Sequence, residues 1–311
     1  MAGQTEPAFA ARVWQYQKER FPVFKHGALI AAFSSSAVCM SALLRGQQAF
    51  PEPAAFAVGF VVLFGLFLQL RISDEFKDRE EDARYRPERA VPRGLVSLGE
   101  LAWLGVAVAV IQVVAVAVYF PLLLVLLALA AGYMALMGAE FFVVDWLKPR
   151  PFVYMVSHMV VMPLIDLFAT ACDWLVMTGR PPTGLFWFLV VSFFNGVIIE
   201  IGRKTWAPAM ERPGVESYSS AWGRGKAVAV WLVSMVLGYG CALVVAADIG
   251  FFIPVALWLG AVGLAMAVAG RRMVRAPDER AVAALENLSG LWVFSVYLAL
   301  GIVPMGVAVW L

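Results

Sequence analysis

The chain has 311 residues, of which 62% are hydrophobic and 15% charged, with a formal net charge of +2 at pH 7 and a mean hydropathy of +0.79. Such a balance excludes an ordinary soluble domain and a disordered chain, and implies an all-α polytopic membrane protein. No G-x-x-x-x-G-K run and no Cys/His metal spacing occurs, so nucleotide-loop and zinc chemistry have no support.

The first segment, residues 1–23, is polar and has no apolar core, so it does not read as a signal peptide. Its Trp14, Tyr16 and Phe21, with Phe24 following, alternate with Lys and Arg as in an interfacial helix. Apolar stretches long enough to cross a bilayer, about 20 residues each, follow at 24–45, 53–71, 97–118, 121–141, 152–176, 184–200, 226–247, 250–270 and 288–310. That pattern predicts nine transmembrane helices in a single domain over 1–311, with motif-bearing loops at 72–96 and 201–225. The tight divisions at Tyr119-Phe120-Pro121 and Asp248-Ile249-Gly250 require antiparallel neighbours.

Nine crossings place 22 of the 24 Lys and Arg residues on one face, with only Arg45 and Arg180 on the other. By the positive-inside rule that face is cytoplasmic, the N-terminus is inside and the protein sits in a bacterial-type inner membrane. The basic loops suit anionic lipid, so membrane lipids are expected partners, whereas nucleic acid and an obligate protein partner are not. Cys39, Cys172 and Cys241 are isolated among apolar residues and read as buried spacers.

Directly after the second span comes Asp74-Glu75-Phe76-Lys77-Asp78-Arg79-Glu80-Glu81-Asp82. On a helix, Asp74, Asp78 and Asp82 share one face, and Glu75, Asp78 and Asp82 another. Like charges so placed repel, and a divalent cation turns that repulsion into a binding site, although a solvated charged loop has the same spacing. Mg²⁺ suits the pattern because it takes few carboxylates, keeps waters and bridges to substrate phosphates. The same face carries Arg84, Arg86, Arg89 and Arg93, then Asp145, Lys148 and Arg150, then Glu200, Arg203, Lys204, Glu211 and Glu216. Carboxylates on a metal and guanidinium forks on phosphate oxygens would jointly hold a metal–polyphosphate headgroup. The positive-inside rule accounts for the bases alone, but not for the carboxylates.

Within the spans, Asp166 lies near the middle of the fifth and His158 two turns closer to the basic face. Ionisable groups at that depth usually face the bundle interior, and a role in acceptor binding or deprotonation competes with internal polar packing. Gln69, Tyr154 and Asn195 are candidates for lining a headgroup pocket, and helix-packing roles explain them equally well.

These segments resemble the UbiA superfamily of intramembrane prenyltransferases. The family's Asn-Asp-x-x-Asp-x-x-x-Asp signature is similar to Asp74 through Asp82, with Asp for Asn and Glu75 for the first Asp. Arg89-Ala90-Val91-Pro92-Arg93-Gly94 and Lys148-Pro149-Arg150 resemble the family's basic segments. The second signature, Asp-x-x-x-Asp, is altered. Here the chain has Glu200-Ile201-Gly202-Arg203-Lys204, and Gly214-Val215-Glu216-Ser217, which anchors the alignment, puts the expected Asp positions near Trp206 and Met210. Either an insertion lets Glu200 and Glu211 serve, or the second metal site is changed.

The resemblance implies a UbiA-like bundle with a central cavity opening to the cytoplasmic side, and Mg²⁺-dependent transfer from an isoprenyl diphosphate to a small, commonly aromatic, acceptor. It implies metal ligands among Asp74, Glu75, Asp78, Asp82, Glu200 and Glu211, of which Asp78 is catalytic together with Lys148, Arg150 and Asp166. Substrate contacts would come from Arg89, Lys148, Arg150, Arg203, Lys204, His158 and Asn195. The altered second signature also fits a membrane terpene cyclase or an unusual acceptor. A transporter is disfavoured, because the polar groups crowd one side and nine spans do not halve.

Overall fold

The computed structural model describes residues 8–310, and every regular element among them is helical. The first seven residues of the N-terminal segment lie outside that range. Helix α1, Phe9–Arg20, comes first. Its aromatic residues divide: Trp14 and the nearby Phe24 are exposed, whereas Tyr16 and Phe21 are buried against the bundle. The segment is therefore docked as well as amphipathic, with Arg12 bonded to Glu100 and Arg20 to Glu75.

Helices α2, Val23–Leu44, and α3, Pro53–Lys77, follow. Proline is suited to the opening position of α3, because a first-turn N–H has no helical partner. Past Asp78 the chain re-forms helix as α4, Arg79–Tyr85, so much of the predicted loop 72–96 is helical. Helix α5, Leu98–Tyr119, starts at a reciprocal cap in which Ser97 Oγ accepts the Glu100 N–H at 3.2 Å and Glu100 accepts the Ser97 N–H at 2.8 Å. Helix α6 is Leu123–Gly138, and the short α7, Val144–Leu147, leads to α8, Pro151–Met159, and α9, Val161–Met177. Then come α10, Leu185–Arg203; α11, Tyr218–Trp222; α12, Arg224–Asp248; α13, Phe252–Arg275; α14, Glu279–Leu300; and α15, Ile302–Trp310.

Two predicted spans are broken, each for the same reason. The helix pauses at Val160, one residue past Met159, whose carbonyl Pro163 cannot serve because it lacks an N–H. Likewise α14 ends at Leu300, whose carbonyl would need the N–H missing from Pro304. The last helix also starts earlier than residue 288, because Asp278 caps it by accepting the Ala281 N–H at 2.7 Å.

Eight helical stretches are long and apolar enough to cross a membrane, while α6, with 16 residues, is shorter. Both termini of α6 are nonetheless tied to opposite ends of the bundle. At its start, Tyr119 donates to the Cys172 carbonyl, beside the Asp173–Arg45 ion pair; just past its end, Glu140 approaches Lys77 at 3.6 Å. Helices α2, α9, α10 and α14 pack on one another at the centre, and α5 lies outside with Val106, Val110, Val114 and Val118 exposed.

A cavity of about 440 Å³ lies between Phe251, Trp258, Phe294 and Val303, and one of about 120 Å³ surrounds Arg45 and Asp173. Neither touches the acidic segment, so these cavities differ in place from the expected central cavity. At the basic end charged side chains pair with one another, among them Arg89 with Asp82 and Lys204 with Glu200.

Candidate functional site

The acidic segment sorts its carboxylates onto different sides of the chain. Glu75 is buried and accepts from Arg20 Nε at 2.5 Å. Asp82 is buried and accepts from Arg89 at 2.6 Å and Arg86 at 3.2 Å. Glu81, on the outside, meets Lys148 at 3.5 Å, and Asp74 meets Arg71 at 3.3 Å. Asp78 sits one turn after Asp74 at the joint between α3 and α4. Burial, reinforced by the Asp74 charge, pushes its carboxyl above the usual carboxylate range. Asp74 and Asp78 thus form a pair of adjacent acids whose repulsion a cation would relieve.

The segment after α10 is built differently. Glu200, on the last turn, is buried and accepts from Arg203 at 2.6 and 2.9 Å and from Lys204 at 2.8 Å. Tyr218 OH donates at 3.5 Å to the same oxygen that Lys204 holds, and burial, then the Glu200 charge, raises the Tyr218 pKa. Glu211 accepts from Ser217 at 2.7 Å and Ser219 at 2.6 Å. Trp206 gives its backbone N–H to Ser219 at 2.7 Å, and Met210 ends a single turn, so neither of the two anchored positions supplies a ligand. Gly214 has a φ of +74° and the Tyr85 ring lies where a Cβ would stand, which lets this segment touch the end of α4.

Between the two segments stand Lys77, Glu140, Tyr154 and His158. Tyr154 and His158 stack with ring centroids 3.9 Å apart. His158 Nδ1 lies 2.8 Å from the Tyr154 carbonyl, which assigns it the proton and leaves Nε2 as an acceptor 3.4 Å from Lys77 Nζ. Lys77 also bonds Tyr154 OH and lies over its ring. Glu140 is buried, and its Oε2 has no hydrogen-bond partner. It opens three consecutive left-handed residues, Glu140, Phe141 and Phe142, with φ of 49°, 54° and 59°. Each such non-glycine residue costs about 1–2 kcal/mol, and such strain clusters at functional sites. Tyr154 stands beside Lys77 and His158, and the two motif segments meet where the Tyr85 ring at the end of α4 lies against Gly214.

The remaining expected residues are spread out. Arg150 is exposed, stacked over Trp146 and donating to the Trp146 carbonyl at 2.6 Å. Asp166 is buried and accepts from Tyr297 across α9 and α14, an internal pair away from the basic end. Asn195 is buried on α10 with neither amide atom bonded. Among the described residues no three carboxylate, thiol or imidazole groups come together as a metal site. Of the six expected ligands, Glu75, Asp82 and Glu200 bond arginine or lysine at 2.5–2.9 Å and Glu211 bonds serine, whereas Asp74 meets Arg71 only at 3.3 Å. What fits Mg²⁺ is the Asp74–Asp78 pair, since that ion needs only one or two carboxylates besides waters and phosphate oxygens.

Lys77, Glu140, Tyr218 and Arg20 were not singled out by spacing. Glu140 offered a signal, a lone carboxylate at the edge of an apolar stretch. The other three are ordinary in type, and only tertiary packing gives them their places.

No curated protein matches the sequence. The fold is similar to that of a solved structure of digeranylgeranylglyceryl phosphate synthase, with a TM-score of 0.63 and 15% identity over 97% of this chain and 100% of the other. The model of the UbiA prenyltransferase family matches residues 34–296, from within α2 to within α14 and across both motif segments. The chain belongs to the UbiA prenyltransferase family.

Proposed function

We propose that the protein transfers an isoprenyl group from a polyprenyl diphosphate to a small, aromatic acceptor within the membrane. The observation that carries this reading is the contact of two charged segments, one with Asp74, Asp78 and Lys77 and the other with Glu200, Arg203 and Lys204, where the Tyr85 ring lies against Gly214. Adjacent acids facing a group of bases suit a ligand that combines a divalent cation with a polyanion. Asp74 and Asp78 would hold Mg²⁺, which would neutralise charge on the leaving diphosphate.

Lys77, Arg203 and Lys204 orient the diphosphate by direct contact, and Arg150 supplies a further, more exposed positive charge. Arg89 is committed to Asp82 and acts by fixing α4. The Tyr154 and His158 rings, stacked at the inner end of α8, close the site against water and turn π-faces towards the cation left by ionisation. His158 Nε2 or the unbonded oxygen of Glu140 would accept the proton lost by the acceptor. Ties from both ends of α6 to opposite ends of the bundle support a ninth crossing, and the excess of Lys and Arg at the basic end supports a cytoplasmic site.

Thermal stability of the detergent-purified protein with geranylgeranyl diphosphate, with and without Mg²⁺, tests the reading. A ligand that binds only the folded state stabilises it by about 2.7 kcal/mol at one hundred times its Kd. The expected shift requires metal and disappears in Asp78→Asn; no shift with any prenyl chain length would refute it. The altered second segment also favours a cyclase of one isoprenoid as the alternative, and product formation from the diphosphate without acceptor would establish that reaction instead.

A further inference from the structure

The two halves of the site are chemically unlike, and the unlikeness lies in Glu200. A metal ligand needs free lone pairs directed into the site. Glu200 instead spends one oxygen on the Arg203 fork at 2.6 and 2.9 Å, and the other on Lys204 at 2.8 Å and Tyr218 at 3.5 Å. Among the described residues no other carboxylate joins it in a cluster: Glu211 is enclosed by Ser217 and Ser219, and the two positions where the family pattern expects acids hold Trp206 and Met210. Arg203 and Lys204, by contrast, keep 46% and 36% of their side chains exposed, with donors left over, and Arg203 stands within electrostatic reach of Asp74 across the site.

We infer that Glu200 is a positioning residue rather than a metal ligand: it pins Arg203 and Lys204 as a fixed pair of cations that binds the diphosphate directly, so the site takes a single divalent ion, at Asp74 and Asp78. The inference rests on the diphosphate reading above and specifies how that ligand is neutralised. Two long basic side chains would otherwise lose considerable rotamer freedom on gripping a phosphate. A buried carboxylate at their base removes that freedom in advance, and burial keeps it from competing as an anion in the site. One carboxylate shared between two bases leaves a net positive charge facing the ligand.

The test counts bound Mn²⁺, by metal analysis, on the full detergent-purified chain equilibrated with Mn²⁺ and geranylgeranyl diphosphate. One ion per chain is expected, lost in Asp78→Asn and retained with unchanged Mn²⁺ affinity in Glu200→Gln. The Glu200→Gln variant should bind geranylgeranyl diphosphate about tenfold more weakly. Its affinity for geranylgeraniol, which has the same tail and no diphosphate, should be unchanged, a result that a merely structural role for Glu200 would not give. Lys204→Met and Arg203→Gln, at more exposed positions, should show the same split and stand in if Glu200→Gln does not fold. Two ions per chain, or loss of Mn²⁺ in Glu200→Gln, would overturn the inference and leave the diphosphate reading standing. Absence of geranylgeranyl diphosphate binding with or without Mn²⁺ would overturn both.

Discussion

Each end of the bundle buries a carboxylate against an arginine, yet the two ends are built to different standards. At the far end Asp173 accepts from Arg45 at 2.6 and 2.9 Å and from Ser41 at 2.7 Å, and nothing around it is strained. At the basic end Glu140 keeps an unbonded buried oxygen, its backbone is left-handed, and Lys77 is shared among Tyr154, His158 and Glu140. A buried polar group fully matched by its neighbours fastens a fold. One left unmatched is held in reserve for something that arrives later. Burial alone does not separate the two; the state of the lone pairs does.

The comparison can be broken by exchanging the roles. Asp78→Asn should abolish Mg²⁺-dependent turnover while leaving the melting behaviour of the ligand-free protein nearly intact, as measured by product formation and thermal unfolding in parallel. Asp173→Ala should do the reverse, destabilising the protein by about 3–5 kcal/mol because Arg45 is left as an uncompensated buried charge, with turnover per folded molecule retained. Loss of activity without loss of stability in Asp173→Ala would erase the distinction between the ends. Arg150→Ala should weaken prenyl diphosphate binding by roughly tenfold or less, since this side chain is exposed and anchored only to Trp146. Full affinity in that variant would remove Arg150 from the site.

The smallest effect concerns pH. Because the Asp78 pKa is raised in the folded protein, the native state holds this proton more tightly than the unfolded chain does. The contribution of Asp78 to the stability of the metal-free protein, read as the difference between the native chain and Asp78→Asn, should therefore fall as pH rises from the ordinary carboxylate range through the raised native value, and return as pH falls. Mg²⁺ affinity should follow the opposite course, weakening as pH falls through the same window, because the ion competes with that proton. Thermal melts across the acidic range, with Asp78→Asn as the flat control, check both signs.

Much of the architecture was legible in the chain because hydropathy acts on whole stretches. The apolar runs correspond to the helices within a few residues at most ends, apart from the early start of α14 and the late end of α3. Pro163 and Pro304 were visible, yet the breaks at Val160 and Gly301 that they impose were not inferred, since proline in a buried membrane helix can be tolerated by neighbouring groups. The acidic segment was legible as a site by its density alone. Its division of labour was not: whether Glu75 meets a metal or Arg20 depends on how α1 docks, although the pairing of Glu200 with Arg203 and Lys204, at i+3 and i+4, lay within helix spacing. Spacing tells which residues share a helix face, and only packing tells what that face meets.

The length of α6 has a consequence for the lipid around it. Sixteen residues rise about 24 Å, whereas the hydrocarbon core of a bilayer is about 30 Å thick. Its outward side chains Val125, Leu129 and Leu136 are exposed, so the helix meets lipid directly. A crossing this short would be matched by a thinner bilayer along one flank of the protein, by snorkelling of its flanking residues or by association with another chain. Acyl chain length in reconstituted vesicles becomes a control on the enzyme, with shorter-chain lipids matching this flank and longer-chain lipids straining it.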